Sequence, residues 1–347
     1  MEVVETPRYS VFSVFGRDGP EDLLGLKGRS KWLSDRLFAL SRGASQIDFS
    51  SGEVKKQLEP HLQVCRDQRH LALTFQRADN SVTLDKALSV LGSVVKEDTL
   101  HYDIRRWPLR NLFSEALWGS NYEEDGIVLE QIHRLGYPGK GKRRDREEKR
   151  RLVEPLTRPH RRAIFQESAG GFDSFVLEYI LPSLAKELPE ESVIYYQAFP
   201  CVRIVRPGEF SIGVHADCAY GFSPAAINFY IALTDVFGSA SIAIESEPGK
   251  EDFRVADLKW RTGDVHRFHG SVCAHMTMEN TTPETRVSLD FRVIAGSLWE
   301  GNESCADHYS KTPGYFVCAR KNDSNGWIRM DPLPDPDARN GFPFTTK

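Results

Sequence analysis

No pair of cysteines in this chain has C-x-x-C spacing. Cys65, Cys201, Cys218, Cys273, Cys305 and Cys318 are scattered along the sequence. That argues against a zinc ribbon or a disulfide framework and fits reduced thiols in a cytosol-like compartment. No run approaches the roughly 18 apolar residues that a spanning helix needs. The opening MEVVETPRYSVFSVFG lacks a basic stretch followed by an apolar one, so no secretory signal is expected. Repeats of fixed period and low-complexity tracts are missing as well. Charge of one sign is also lacking: the net charge is −4 and the pI about 6.2, which gives no global reason for a nucleic-acid partner. The expectation is a soluble cytoplasmic protein with no membrane attachment. Its 347 residues, 40% of them hydrophobic, suffice for one large domain or a core with sizeable additions.

From Glu21 to about Leu100 the apolar spacing is helical, as in DLLGLKGRSKWLSDRLFALSRG and TLDKALSVLGSVV, and Thr83 is placed to cap the second of these. FDSFVLEYILPSLAKEL predicts another helix, which Pro182 should kink or terminate. Between them, GYPGKGKRRDREEKRRLVEPLTRPHRR is the most basic part of the chain. Asp145, Glu147 and Glu148 offset its charge and no aromatics interleave it, so it reads as a solvated loop and helix rather than a single-strand binder.

Near Glu191 the texture changes. VIYYQAF, CVRIVR, FSIGVHA, AINFYIAL, SIAIES, DVHRFHG and VSLDFRVI are short, rich in β-branched and aromatic residues, and separated by turn formers. Such a series predicts a sandwich or jelly-roll. The expected organisation is therefore α+β: a largely helical region over 1–190, a mainly β core over 191–296, and an irregular, turn-rich wrap over 297–347.

Inside the β region, His215 and Asp217 stand two apart, and on an extended strand both face the same way. A third ligand from another strand would complete a two-histidine, one-carboxylate set that leaves the opposite face of a metal open, the arrangement suited to non-haem iron(II) oxygenases. The tripeptide alone is weak, because about one H-x-D/E is expected by chance in a chain of ordinary charge. His101-Tyr102-Asp103 matches it too, in a segment that reads as loop with nothing downstream to complete it. The weight comes from His275, 60 residues after His215 and 11 before Arg286. Arg286, Ser288, Asp290 and Arg292 then alternate with Val287, Leu289, Phe291 and Val293, so four polar groups share one face. Burying them without partners would cost several kcal/mol each. A guanidinium that can grip a carboxylate, with a hydroxyl two residues on, suits an acidic co-substrate.

These residues carry a resemblance. YQAFPCVRIVRPGEFSIGVHAD, INFYIALTDVFGSASIAIESEPGKEDF, TGDVHRFHG and HMTMENTTPETRVSLDFRV resemble the iron(II)/2-oxoglutarate-dependent dioxygenase superfamily, closest in texture to streptomycin-biosynthesis-type, natural-product oxygenases. The resemblance implies a double-stranded β-helix of the jelly-roll or cupin kind. It also implies iron held by His215, Asp217 and His275, 2-oxoglutarate anchored on Arg286 with Ser288, and O2 as oxidant. His269 competes for third ligand, but its distance to Arg286 leaves a longer turn than the family pattern shows.

Further candidates sit nearby. Asn228 can reach the 2-oxoglutarate carboxylates or serve as a core amide. Gln197, Arg203 and Tyr220 can face the substrate, and Glu245 reads as structural. Arg292 suits an acidic substrate group, with an internal salt bridge to Asp290 as the equal alternative. The implied activity is oxidation of an unactivated C–H bond of a small amino-acid-derived intermediate. Hydroxylation, desaturation and oxidative ring closure of the kainoid type all fit. Two other readings are a protein or nucleic-acid hydroxylase docking through the basic segment 134–162, and a non-catalytic metal-binding β-sandwich.

Overall fold

A strand buried on both faces must satisfy two neighbourhoods at once, and Arg286–Ala295 does so by strict alternation. In the computed structural model, which describes residues 47–78, 82–123, 126, 128–134, 159–209, 211–299, 315–324 and 326–333, this segment is β9 at the centre of an eight-stranded sheet. The strands are β1 (Asp98–His101), β2 (Val193–Gln197), β3 (Cys201–Val205), β4 (Ile227–Ala232), β5 (Ile242–Ile244), β6 (Arg254–Val255), β7 (Asp264–Phe268), β8 (His275–Thr277), β9, β10 (Phe316–Lys321) and β11 (Trp327–Arg329). Their order in the large sheet is β1-β7-β4-β9-β2-β10-β11, with β3 also paired to β9. A smaller sheet runs β6-β5-β8, and every pairing in both sheets is antiparallel.

The apolar side of β9 meets helices. Phe291 takes the edge of Phe172 at 5.1 Å and stacks with Phe229 at 5.3 Å. The polar side faces the small sheet. Further along that gap Tyr230, Ala232 and Phe268 of the large sheet join Ile242 and Ile244 of the small one in a second apolar cluster. The result is an antiparallel, sheet-rich α+β fold whose inner face is apolar at one end and polar at the other.

Register sets what shares a row on the inner face. Asn228 lies between Phe268 and Arg292, Tyr230 between His266 and Asp290, and Ser288 between Ala232 and Arg203. Antiparallel neighbours directly opposite bring their Cβ atoms to about 5 Å, so these trios touch across strands.

The helical expectations hold where residues are described. Helix α1 is Gly52–Ala78 and α2 is Leu84–Leu91, with the Thr83 side chain accepting from the Lys86 N–H. The segment 21–46 lies outside the described residues, as does most of the basic stretch 134–162. After α3 (Leu109–Trp118) and α4 (Pro159–Gln166), a helical rod runs through α5 (Phe172–Phe175), a wide π turn (Val176–Ile180) and α6 (Leu181–Glu187). Pro182 stands in the first turn of α6, where its missing N–H costs little, and the irregularity falls just before it.

Three strands fall where none was expected. β1 lies within the supposedly helical region, and β10 and β11 extend the sheet from the supposedly irregular tail. All are at or near the sheet's ends, short and of mixed composition, and cross-strand pairing outweighs their weak local pattern. Among the described residues no helix is long and apolar enough to cross a membrane.

Helix α1 braces the back of the inner face. Arg69 donates to the buried Glu245 carboxylate at 2.6 Å and to the Val272 carbonyl at 3.0 Å. Glu245 also accepts the backbone N–H groups of Gly249, Glu251 and Ala274. Removing one partner of a buried pair strands the other charge. Arg69→Met is expected to lower stability by about 3 kcal/mol in urea unfolding, and an unchanged midpoint would show that α1 is not a brace.

Candidate metal centre

His215, Asp217 and His275 come together from three short segments. His215 and His275 are joined by a reciprocal backbone pair, His215 N–H to His275 carbonyl at 3.1 Å and the reverse at 2.8 Å. His215 is therefore a single bridge residue rather than part of the long strand expected over FSIGVHA. Ala216 is extended, and Asp217 opens a 3₁₀ turn, Asp217–Tyr220. That one extended residue suffices to put both side chains on the same side.

Each of the three offers a ligand atom, all within 4.8 Å of one another, and all three residues are buried. His215 Nε2 lies 3.4 Å and His275 Nε2 3.7 Å from Asp217 Oδ1. The other ring nitrogens are committed: His215 Nδ1 meets the Gly213 carbonyl at 2.9 Å and His275 Nδ1 the Cys273 carbonyl at 3.1 Å. A carbonyl only accepts, so Nδ1 carries a proton in each ring and Nε2 is the atom turned to the shared space. Burial, with His215 alongside, pushes the His275 pKa down to about 3, so its imidazole stays neutral and able to ligate.

Asp217 is oriented from behind. Its Oδ2 accepts from Asn228 Nδ2 at 2.7 Å, Arg292 Nη2 at 2.8 Å and Arg292 Nε at 3.0 Å. Burial works to raise its pKa, but the Arg292 charge and contacts with the two histidines outweigh it and hold the carboxyl well below its ordinary range. The remaining Arg292 nitrogen, Nη1, donates to Asp290 Oδ2 at 3.1 Å, and the guanidinium lies over the Phe222 ring at 4.5 Å. Asp290 is gripped in turn by Arg203, Nε to Oδ1 at 2.6 Å and Nη2 to Oδ2 at 3.2 Å.

Several sequence candidates thus have partners within the chain. Arg292 has the internal pairing given as the alternative to a substrate group, with Asp217 as a partner as well as Asp290. Asn228 Nδ2 donates to the Asp217 carboxylate. Arg203 is paired, and Gln197 donates to the Phe199 carbonyl at 2.7 Å with its oxygen 3.5 Å from Arg292 Nη1. Tyr220 is buried with its ring 5.3 Å from that of His215.

Arg286 is the opposite case. It is 2% exposed, and its Nη1 lies 3.3 Å from the Ala240 carbonyl and 3.4 Å from that of Ser241. Among the described residues its Nε and Nη2 have no hydrogen-bond partner, and neither do Ser288 Oγ or the Tyr230 hydroxyl. The guanidinium carbon sits 6.0 Å from the Tyr230 ring centre. Burial pulls its pKa below the ordinary arginine value. Leaving such donors unsatisfied costs a few kcal/mol, a cost that a bound anion would offset. Tyr230 was missed in the sequence, although it lies two residues from Asn228 on β4 and hence on the same face.

His269 is not part of the trio. Its Nε2 donates to the Pro224 carbonyl at 2.6 Å, a core role. The decoy is dismantled too: His101 Nδ1 meets Asp264 at 2.8 Å, while Asp103 accepts the Arg105 N–H.

No family model matches the chain. By sequence it is similar to the streptomycin biosynthesis protein StrG of Streptomyces griseus, 26% identical over 213 residues, which cover 60% of this chain and 90% of that one. That match falls in the group whose texture the residue pattern carries. Among solved structures it is similar to a non-heme monooxygenase, ThoJ in its nickel complex, at 16% identity and a TM-score of 0.33. The overlap covers 43% of this chain and 65% of that one, just under two thirds. Another is the non-heme alpha ketoglutarate dependent carbocyclase SnoK from nogalamycin biosynthesis, at 15% identity and a TM-score of 0.31, covering 62% of this chain and 87% of that one.

Burial pushes the His269 pKa from 6.5 down to about 4. Between those values the unfolded chain takes up a proton that the folded chain refuses, so stability falls as pH drops from about 6.5 toward 4. The loss is about 3 kcal/mol from this residue. Urea unfolding of metal-free protein at pH 7 and pH 4.5 should show it, and His269→Gln should lose less over the window than the parent. Equal losses would remove His269 as the source.

Proposed function

We propose that this chain is an iron(II)/2-oxoglutarate-dependent dioxygenase with a double-stranded β-helix core over about 191–296. Its substrate is a small, amino-acid-derived natural-product intermediate, oxidised at an unactivated C–H bond. The observation that carries this reading is the pair of arginines on the inner face of β9. Arg292 is satisfied by the Asp217 carboxylate, whereas Arg286 keeps buried donors without partners beside Ser288 and Tyr230. One arginine serves a ligand already in the chain, and the other waits for a carboxylate brought from outside.

The residues fit the metal. Two imidazole Nε2 atoms and one carboxylate oxygen form the donor set, a set that would leave one side of the metal for co-substrate and oxygen. Iron(II), when bound, supplies with 2-oxoglutarate and O2 the oxidising power that converts the co-substrate to succinate and CO2 while the substrate is oxidised. Arg286, Ser288 and Tyr230 are the residues that would hold the far carboxylate of 2-oxoglutarate. The buried inner face excludes water from the reacting groups. Hydroxylation, desaturation and ring closure share C–H cleavage and part ways only after it, and this arrangement accommodates all three. The relation to a streptomycin biosynthesis protein supports a natural-product setting.

Purified protein given iron(II), 2-oxoglutarate and a panel of amino-acid-derived compounds should form succinate in a compound-dependent way. His275→Ala should abolish iron-dependent 2-oxoglutarate turnover and His269→Ala should retain it. The reverse pattern would exchange the third ligand, and no succinate across the panel would remove the substrate class.

A further inference from the structure

Two arginine–carboxylate pairs stand side by side on the inner face, and they differ in a way that bears on the metal. Arg203 meets Asp290 in the ordinary manner, one nitrogen to each oxygen. Arg292 instead directs both Nε and Nη2 to the same oxygen of Asp217, Oδ2, and Asn228 Nδ2 adds a third donor to that atom. The other oxygen, Oδ1, receives none of these bonds and faces the Nε2 atoms of His215 and His275. We infer that Arg292, seconded by Asn228, is a positioning fork that holds Asp217 as a one-oxygen ligand and keeps its second oxygen off the metal. This rests on the metal centre proposed above and adds a role for residues outside the ligand set.

Three features of the chain support the fork. Arg292 is 4% exposed and each of its three nitrogens makes a bond within the chain, Nη1 to Asp290, while Phe222 covers one face of the guanidinium. Asp290 supplies a counter-charge from within the chain and is itself held by Arg203, which keeps Arg292 from swinging away. Asn228 has room only because residue 270 is glycine. A Cβ there would stand 2.8 Å from the Asn228 amide atoms and 2.6 Å from the Phe268 ring, and the Gly270 carbonyl accepts the Asp217 N–H at 2.9 Å. Ligand backbone and ligand carboxylate are thus located by one small patch.

A carboxylate limited to one oxygen leaves a further position on the metal for incoming groups. Partners of ligating groups commonly matter by about 10–100-fold in metal affinity.

The experiment titrates metal-stripped protein with Co(II), reading affinity and visible absorption with no co-substrate or turnover involved. Arg292→Lys keeps the charge and loses the fork. It should bind Co(II) at least about tenfold more weakly than the parent and show an altered absorption band, measured at a temperature where both apo proteins are folded. Asp217→Asn is the second arm, isosteric and independent of Arg292 folding. The three donors would claim its amide oxygen and turn its NH2 toward the imidazoles, so it should bind Co(II) no better than Asp217→Ala. The fork is overturned if Arg292→Lys matches the parent in affinity and spectrum, or if Asp217→Asn clearly outbinds Asp217→Ala. A parent that binds no Co(II) would instead overturn the metal centre itself.

Discussion

A carboxylate buried beside two imidazoles needs a cation before any metal arrives, and Arg292 is that cation. Taking the Asp217 charge out of water uncompensated would cost several kcal/mol. The guanidinium offsets this with two hydrogen bonds, and Asp290 and Arg203 continue the alternation of sign outward. The chain Asp217–Arg292–Asp290–Arg203 is neutral as a whole, so the fold can close on its own charges. The rest of the inner face depends on it: β9 must be central, because β3 on one edge brings Arg203 to Asp290 and β4 on the other brings Asn228 to the Asp217 carboxylate that Arg292 holds.

Arg286 lies outside that neutral chain. Among the described residues no acid forms an ion pair with it, and its unbonded nitrogens sit with the Ser288 and Tyr230 hydroxyls in a buried place. Native interiors seldom leave so many donors idle, and where they do a ligand is the usual reason. The contrast between two arginines six residues apart on one strand separates a cation paired within the chain from one with unbonded donors. Burial alone would not have told them apart.

Much of this was legible in the residues. The H-x-D pair, His275 and the alternation of Arg286, Ser288, Asp290 and Arg292 all survive as geometry, because period-two alternation and strand–turn–strand spacing are local properties. The partners of Arg292 and Asn228 were not legible, since they depend on which strands are neighbours and in what register. Tyr230 was overlooked for the same reason: it is marked only by sharing a face with Asn228. β1, β10 and β11 lacked a clear pattern because strands near a sheet's ends are short and half exposed. The hold of Arg69 on Glu245 joins residues 176 apart in the chain, a contact no local pattern announces.

That hold reaches further than stability. Glu245 accepts the N–H of Ala274, the residue before His275, while on the same helix Ala72 packs against Ala216 and Cys218, the residues on either side of Asp217. One helix from the N-terminal region therefore touches the immediate neighbours of all three candidate ligands. The β core is not a cassette that can be lifted out at Glu191 and carried to another setting with its chemistry intact. Whatever shifts α1 along its axis shifts the ligand-bearing segments together, so drift in the sequence of that helix is tied to the sequence of the site it never enters.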